Sequence, residues 1–131
     1  MHKVDRIELL PANAFSIRAL TAIYNQSRAD YLVAMPMSEA QLQDYLDLYD
    51  IDLACSVVVR RGERFLGLGM LGVRDEHSWI TRLGVLAQGR RTGVAKKIVS
   101  YLLAQAIELG HRQVLLEVIH GNAPARRLFE G

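Results

Sequence analysis

The segment Arg90-Arg91-Thr92-Gly93-Val94-Ala95 has the residue types, in the right order, to hold an anion. A short glycine-containing turn that feeds a helix start leaves several backbone N–H groups without intrahelical acceptors. Those donors, the positive end of the helix dipole and two adjacent arginines make a cradle for a phosphate or pyrophosphate. An ordinary strand-to-helix connection with two solvated arginines would carry the same letters, so the segment alone leaves both readings open.

Other chemistry-bearing residues point to less. Gly67-x-Gly69-x-x-Gly72 fits a dinucleotide-binding pattern, but that fingerprint needs a helix directly after it. Here the glycines lie inside a strand pattern and another strand follows, so they are expected to permit twist, a bulge or the close approach of a neighbour. Gly84 and Gly89 have P-loop spacing, yet Arg90-Arg91 stands where Lys-Ser or Lys-Thr is required, and Lys96 and Lys97 lie too far into the helix to substitute. His2, His77, His111 and His120 show no metal-ligand spacing, so no metal is expected. Cys55, the single cysteine, excludes an internal disulfide and reads as a small buried hydrophobe. No serine, histidine and acid arrangement suggests a hydrolase. Trp79 reads as a packing residue, and Arg126-Arg127 as the solvated side of the last helix.

The elements that must position the cradle follow from periodicity. Val4 to Leu9 alternates as a strand does. Pro11 and Asn13 then introduce a helix with Phe15, Ala19, Ala22 and Ile23 on its apolar face. Ser38 and Gln41 have capping-box spacing ahead of Leu42, Tyr45, Leu46 and Tyr49. The apolar linker between these helices, roughly 31–37, reads as a packed connection rather than a pocket wall. Ala54 to Arg60 and Phe65 to Val73 flank Arg61-Gly62-Glu63 as a hairpin, and Asp75-Glu76-His77 turns into a strand from Ser78 to Val85. Ala95, Val99, Leu102, Ala106 and Leu109 predict a helix over 91–109, with Gly110 as its cap. Gln113 to Ile119 is a nearly continuous apolar run, the mark of a central buried strand. Gly121-Asn122-Ala123-Pro124 starts a final helix that carries Leu128 and Phe129. The crossover through the 91–109 helix predicts that Gln113–Ile119 runs parallel to Ser78–Val85.

Leu83-Gly84-Val85, Gln88 through Ala95, and Leu116-Glu117-Val118 followed by Asn122, Ala125, Leu128 and Phe129 resemble the GNAT N-acetyltransferase superfamily. Its turn is written Q/R-x-x-G-x-G/A, and Arg90, Gly93 and Ala95 fill the fixed positions. Its later block, L-E-V and then N-x-x-A-x-x-L-Y/F-E, ends here in Leu128-Phe129-Glu130, at a matching interval. The resemblance runs from about Trp79 to Gly131; residues 1–78 agree in element order without a specific motif. It implies an α/β (α+β) acyl-CoA N-acyltransferase fold: a mixed, mainly antiparallel sheet flanked by helices in the order β-α-α-β-β-β-α-β-α, forming one domain over residues 1–131.

The resemblance also implies a division of labour. Acetyl-CoA is the cosubstrate, its pyrophosphate held by backbone amides of Arg91, Thr92, Gly93, Val94, Ala95 and Lys96, with Arg90 in the same turn. The pantetheine arm pairs with the strand edge at Leu83, Gly84 and Val85, in a gap that a bulge near Gly84 would open. An N–H near Val85 then steadies the developing oxyanion. Asn122 and Phe129 flank the cofactor from the far wall. The amine attacks the thioester directly, and Glu117, partly desolvated beside the gap, serves as general base; a solvent-facing or salt-bridged strand residue is its bland alternative. His120 is a lesser candidate to assist it.

Two departures from the family pattern matter. Many relatives carry a tyrosine where Phe129 stands, and it protonates the departing thiolate; phenylalanine cannot. Coenzyme A can leave unaided, because thiols are weakly basic. The alternative is a non-catalytic acyl-CoA-binding or regulatory domain. The chain also stops where relatives continue into two further strands. The expectation is either a piece of a longer protein or a homo-oligomer, a dimer, that borrows strands from a second copy.

Composition restricts the partners. Half of the 131 residues are hydrophobic and the formal net charge is +2, which fits one globular core and argues against a nucleic-acid-coating surface. No apolar stretch approaches the ~18 residues of a membrane span, and the polar N-terminus lacks a signal-peptide core. The expectation is a soluble, cytoplasmic protein with a small-molecule or peptide amine as acceptor, and neither nucleic acid nor membrane as partner.

Overall fold

A computed structural model describes residues 6–29 and 36–116. Glu117, His120, Asn122, Phe129 and the helix expected after Gly121 lie outside the described residues, as does most of the linker between the first two helices. The described elements are β1 (Ile7–Pro11), α1 (Ile17–Ser27), α2 (Glu39–Leu48), β2 (Val57–Arg61), β3 (Arg64–Arg74), β4 (His77–Val85), α3 (Val94–Glu108) and β5 (Gln113–Leu116). The strands form one sheet in the order β1-β2-β3-β4-β5. The first three pairings are antiparallel, and β4 with β5 is parallel, as the crossover through α3 requires.

Strand alternation sends side chains to opposite faces and so builds two cores on one sheet. Val57 and Val59 of β2 join Leu71, Ile80 and Leu83 under α3, which contributes Val94, Ile98, Leu102 and Ala106. Val58 faces the other way and packs with Leu68, Met70 and Leu86 against Leu20, Ile23, Tyr24, Leu42 and Leu46 of α1 and α2. Each fully buried Leu or Ile contributes about 1.5–3 kcal/mol.

The close approach of α3 explains two glycines of the false dinucleotide motif. A Cβ at Gly69 would lie 2.5 Å from Ile98 Cγ2, and one at Gly67 would lie 3.0 Å from Ile98 Cδ1. Only bare backbone lets the helix sit this low. Trp79 covers the third, Gly72, and so packs as expected.

Several expectations need correction. Pro11 ends β1, pairing with Val57, and opens only a three-residue 3-10 turn over Ala12–Ala14 instead of the expected helix. α1 starts later, capped by Ser16, whose side chain accepts from Ala19 N–H at 3.1 Å. Its buried face is therefore Leu20, Ile23, Tyr24 and Ser27, while Ala22 is exposed. The capping box at Ser38 and Gln41 is present as predicted, but Tyr49 is the exposed C-cap of α2. α3 buries Val94, Ile98, Leu102 and Ala106, one residue out of phase with the expected Ala95 and Val99, and Leu109 is exposed. Leu109 is its C-cap; Gly110 follows, with the Gly110→Ile107 and His111→Ala106 backbone bonds of a Schellman ending. Among the described residues β5 is an edge strand, not a central one, and Leu115 is 65% exposed.

Candidate functional site

α3 begins at Gly93, which caps the helix with a left-handed φ of 79°. The first i→i−4 bond runs from Lys97 N–H to Gly93 O at 3.1 Å. Helix geometry therefore leaves the N–H groups of Gly93, Val94, Ala95 and Lys96 over as donors. Arg91 is also left-handed, at φ 64°, so the turn bends twice within three residues. The Thr92 hydroxyl donates to Gly89 O and fixes the turn from inside. Nothing lies within 4 Å of the position a Cβ would take on Gly93. Leftover donors at a helix start with open space over Gly93, and with Arg91, Lys96 and Lys97 close by in the chain, are what a diphosphate requires.

Beside this turn lies the end of β4. Leu86 N–H bonds Leu66 O at 2.8 Å, toward β3. Alternation then aims the N–H and C=O of Val85 at the opposite edge. There Arg90 Nη2 donates to Val85 O at 3.3 Å, so the expected anion-binding arginine also braces the turn against the strand. β4 pairs with β5 from His77↔Gln113 to Ile80↔Leu116. Among the described residues, the stretch from Thr81 to Val85 has no ladder partner on that side.

A bulge marks the change. Leu68 opposes Gly84 and Met70 opposes Thr81, so Arg82 and Leu83 together face Gly69. Bulges increase twist and bend the strand that carries them. Arg82 occupies the bulge with φ 53°, a conformation that costs a non-glycine residue about 1–2 kcal/mol. Beyond it, α1 lies directly on β4: a Cβ at Gly84 would collide with Ser27. Leu83 turns to the α3 side and is buried there.

The Arg82 side chain enters a polar nest on the α1–α2 face that sequence reasoning missed. Its Nη1 donates to the Tyr24 hydroxyl at 2.9 Å, and its guanidinium stacks on the Tyr45 ring, 4.1 Å from the centroid. Tyr45 is anchored by a 2.6 Å hydroxyl contact with the buried Thr81. A second buried guanidinium, Arg28, lies 5.2 Å from the Tyr24 centroid. Arg82 Nε is buried without a hydrogen-bond partner. Burial acts to lower the Arg82 pKa, but the Tyr24 and Tyr45 oxygens outweigh it and the net shift is upward. The group stays cationic. Asn25 closes the nest's flank, bonding both the N–H and the C=O of Met37 at 2.9 and 2.8 Å.

The remaining candidates play structural parts. The fold joins Ser78 Oγ to His111 Nδ1 at 2.5 Å, a serine–histidine pair not visible in the sequence. Ser78 is fully buried, so the pair pins the α3–β5 connection and offers no reachable nucleophile. Burial, and next the negative Asp52, push the Cys55 thiol up to about 11, which leaves it inert. Among the described residues no group of His, Cys, Asp or Glu could hold a metal ion, and no helix is long and apolar enough to cross a membrane.

Comparison with known proteins bears on this arrangement. The family described as acetyltransferase (GNAT) matches residues 20–130. Among solved structures, Ard1 from Thermoplasma volcanium is similar with a TM-score of 0.75 at 18% identity, covering 95% of this chain and 79% of its own. The ribosomal-protein-S18-alanine N-acetyltransferase of Escherichia coli gives 0.70 at 17% identity, with 96% and 74% covered. An aminoglycoside acetyltransferase from an uncultured soil metagenomic sample gives 0.69 at 18%, with 97% and 86% covered. At such identities these likenesses establish the fold. No curated protein sequence matches the chain.

Proposed function

The chain belongs to the acetyltransferase (GNAT) family, and from that premise we propose that it transfers the acetyl group of acetyl-CoA to an amine by direct attack on the thioester. The family generally uses acetyl-CoA. The observation that carries the reading for this chain is the open, Gly93-capped start of α3 beside the Thr81–Val85 stretch of β4, which among the described residues has no ladder partner on its outer side.

The residues present fit the cosubstrate. Leftover amides at Gly93, Val94, Ala95 and Lys96 would hold the diphosphate, with Arg91 and Lys96 adding charge. The edge from Leu83 to Val85 would take the pantetheine arm as a strand takes a neighbour. The Val85 N–H, aimed away from β3, would steady the carbonyl oxygen as it gains negative charge. In the transfer itself the amine nitrogen bonds to the thioester carbon and the C–S bond breaks. Coenzyme A leaves as thiolate. The proton lost by the amine passes to Glu117, the proposed general base, directly or through water, and then to the thiolate. Glu117 follows Leu116, the last described residue of β5, and its role rests on the family motif it sits in. Asn122 and Phe129 complete the proposed cofactor wall on the same basis.

Isothermal titration with acetyl-CoA, paired with an assay of free thiol release across a panel of amines, tests this. Binding that Gly93→Asp weakens about tenfold or more, some 1.4 kcal/mol, together with amine-dependent thiol release, is the expected result. Unchanged affinity in that variant discards the cradle. Tight binding with no thiol released over any amine supports an acyl-CoA-binding domain in place of an enzyme.

A further inference from the structure

We propose that Arg82 is the acceptor's anchor: the amine substrate carries an anionic group, a carboxylate or phosphate, that the Arg82 guanidinium binds. This rests on the acetyl-transfer reading above and names the substrate class for the same site. Four observations carry it. Arg82 sits on the β4 bulge, immediately before the Leu83–Val85 edge assigned to the thioester arm, so a ligand held there lies next to the reacting bond.

The side chain is also built in before any ligand arrives. Tyr24 is fully buried and takes Nη1 at 2.9 Å, and Tyr45, fixed by Thr81, stacks beneath the guanidinium. A preorganised cation loses little rotamer freedom on binding. Among the described residues no carboxylate pairs with it: the ion pairs there are Arg60–Glu8 and Arg74–Asp50, both elsewhere on the surface. Nε is buried and lacks an acceptor, and a buried donor left unmade costs about 1–3 kcal/mol. Finally, the backbone holds Arg82 at φ 53°, where glycine would be the economical residue. Strain retained at a polar, uncompensated residue is a mark of function rather than of packing. A guanidinium presents a planar fork of donors that matches carboxylate and phosphate oxygens, and Lys cannot reproduce that fork.

The test pairs each anionic amine with a neutral counterpart: alanine with alaninamide, and phosphoethanolamine with ethanolamine. Binding is followed by calorimetry in the presence of coenzyme A, and kcat/KM by thiol release. For the wild-type chain, at least one anionic member is expected to exceed its partner by about tenfold or more, and the pair that responds tells carboxylate from phosphate. Arg82→Gln is expected to erase that ratio while leaving acetyl-CoA affinity unchanged, and Arg82→Lys to restore only part of it. Comparing ratios removes the effect of different amine basicities. If acetyl-CoA binds but neither anionic amine outranks its neutral partner, or if Arg82→Gln keeps the preference, the anchor is wrong and the acetyl-transfer reading survives. If acetyl-CoA does not bind at all, the failure lies in that reading. Should Arg82→Gln not fold, Arg82→Lys decides: loss of most of the ratio supports the anchor, and the full wild-type ratio in that variant overturns it.

Discussion

Arg82 on the β4 bulge donates to Tyr24 on α1 at 2.9 Å, joining residues 58 positions apart in the chain. The bond holds a left-handed arginine in place against the backbone's preference. Arg82→Ala loses the stacking on Tyr45, worth about 1–2 kcal/mol when desolvated, and keeps the strain. Arg82→Gly loses the same stacking but relieves the strain. Urea unfolding is therefore expected to find the glycine variant more stable than the alanine variant by about 1 kcal/mol. The reverse order would mean that residue 82 is not left-handed in solution.

That nest was invisible in the sequence, and the reason is physical. Capping at Ser38 and Gln41 was legible because donor and acceptor lie three residues apart. The β2–β3 hairpin and the parallel placement of β5 were legible because turn chemistry and crossover handedness are local rules. The Arg90–Ala95 turn stood out for the same reason. Pro11 misled because its place in β1 depends on Val57, far along the chain. The phase of α3 was misjudged because both rows are apolar; the larger pair, Val94 and Ile98, goes down onto the glycine floor of β3, and the smaller Ala95 and Val99 sit beside it. Arg82 reads as an ordinary alternating strand residue until the bulge turns it toward α1 and α2.

The glycine floor itself can be tested. Gly69→Ala places a methyl group against Ile98 Cγ2 and Leu102 Cδ1, an overpacking expected to cost about 1–3 kcal/mol. Ile98→Ala removes the nearer obstruction, Cγ2, at its own cavity cost. In the double variant the two losses should fall short of their sum by about 0.5 kcal/mol or more. Strict additivity in urea titrations would show that α3 does not rest on Gly69.

Gly93 separates fold from ligand binding. Its Cβ position is open, so Gly93→Ala suffers no collision and pays only for φ 79°, about 1 kcal/mol. Gly93→Asn should lose less, because asparagine tolerates the left-handed region. Both put side-chain atoms into the space in front of the helix donors. Acetyl-CoA affinity is thus expected to drop in both, including the asparagine variant whose stability stays close to that of the parent. Calorimetry showing affinity that tracks stability, instead of side-chain bulk, would move the diphosphate elsewhere.

For Glu117→Gln, acetyl-CoA affinity should be retained while thiol release at neutral pH falls by about 10²–10⁴-fold, the usual contribution of a general base. Activity of that variant should recover in part at higher pH, where more of the amine is already deprotonated. A variant with full activity at neutral pH would remove Glu117 from proton transfer and leave the task to water.

Cys55 supplies a pH dependence with a defined sign. Burial, and next Asp52, hold its thiol protonated up to about 11 in the folded chain, against 9.0 for the ordinary group. Between these values the unfolded chain has released a proton that the native chain still holds. The unfolded state is thereby favoured, and stability falls as pH rises, by up to about 1.4 kcal/mol per unit. Below the lower value both states are protonated and the term vanishes. Cys55→Ala has no such term, so the wild type's advantage over this variant should shrink between about pH 8 and about pH 10. Taking the difference between the two proteins cancels the titration of lysines and tyrosines common to both. A gap of the same size at both pH values would show that the thiol ionises as freely in the folded chain as in the unfolded one, and that its site between β2 and α3 is wetter than the structure has it.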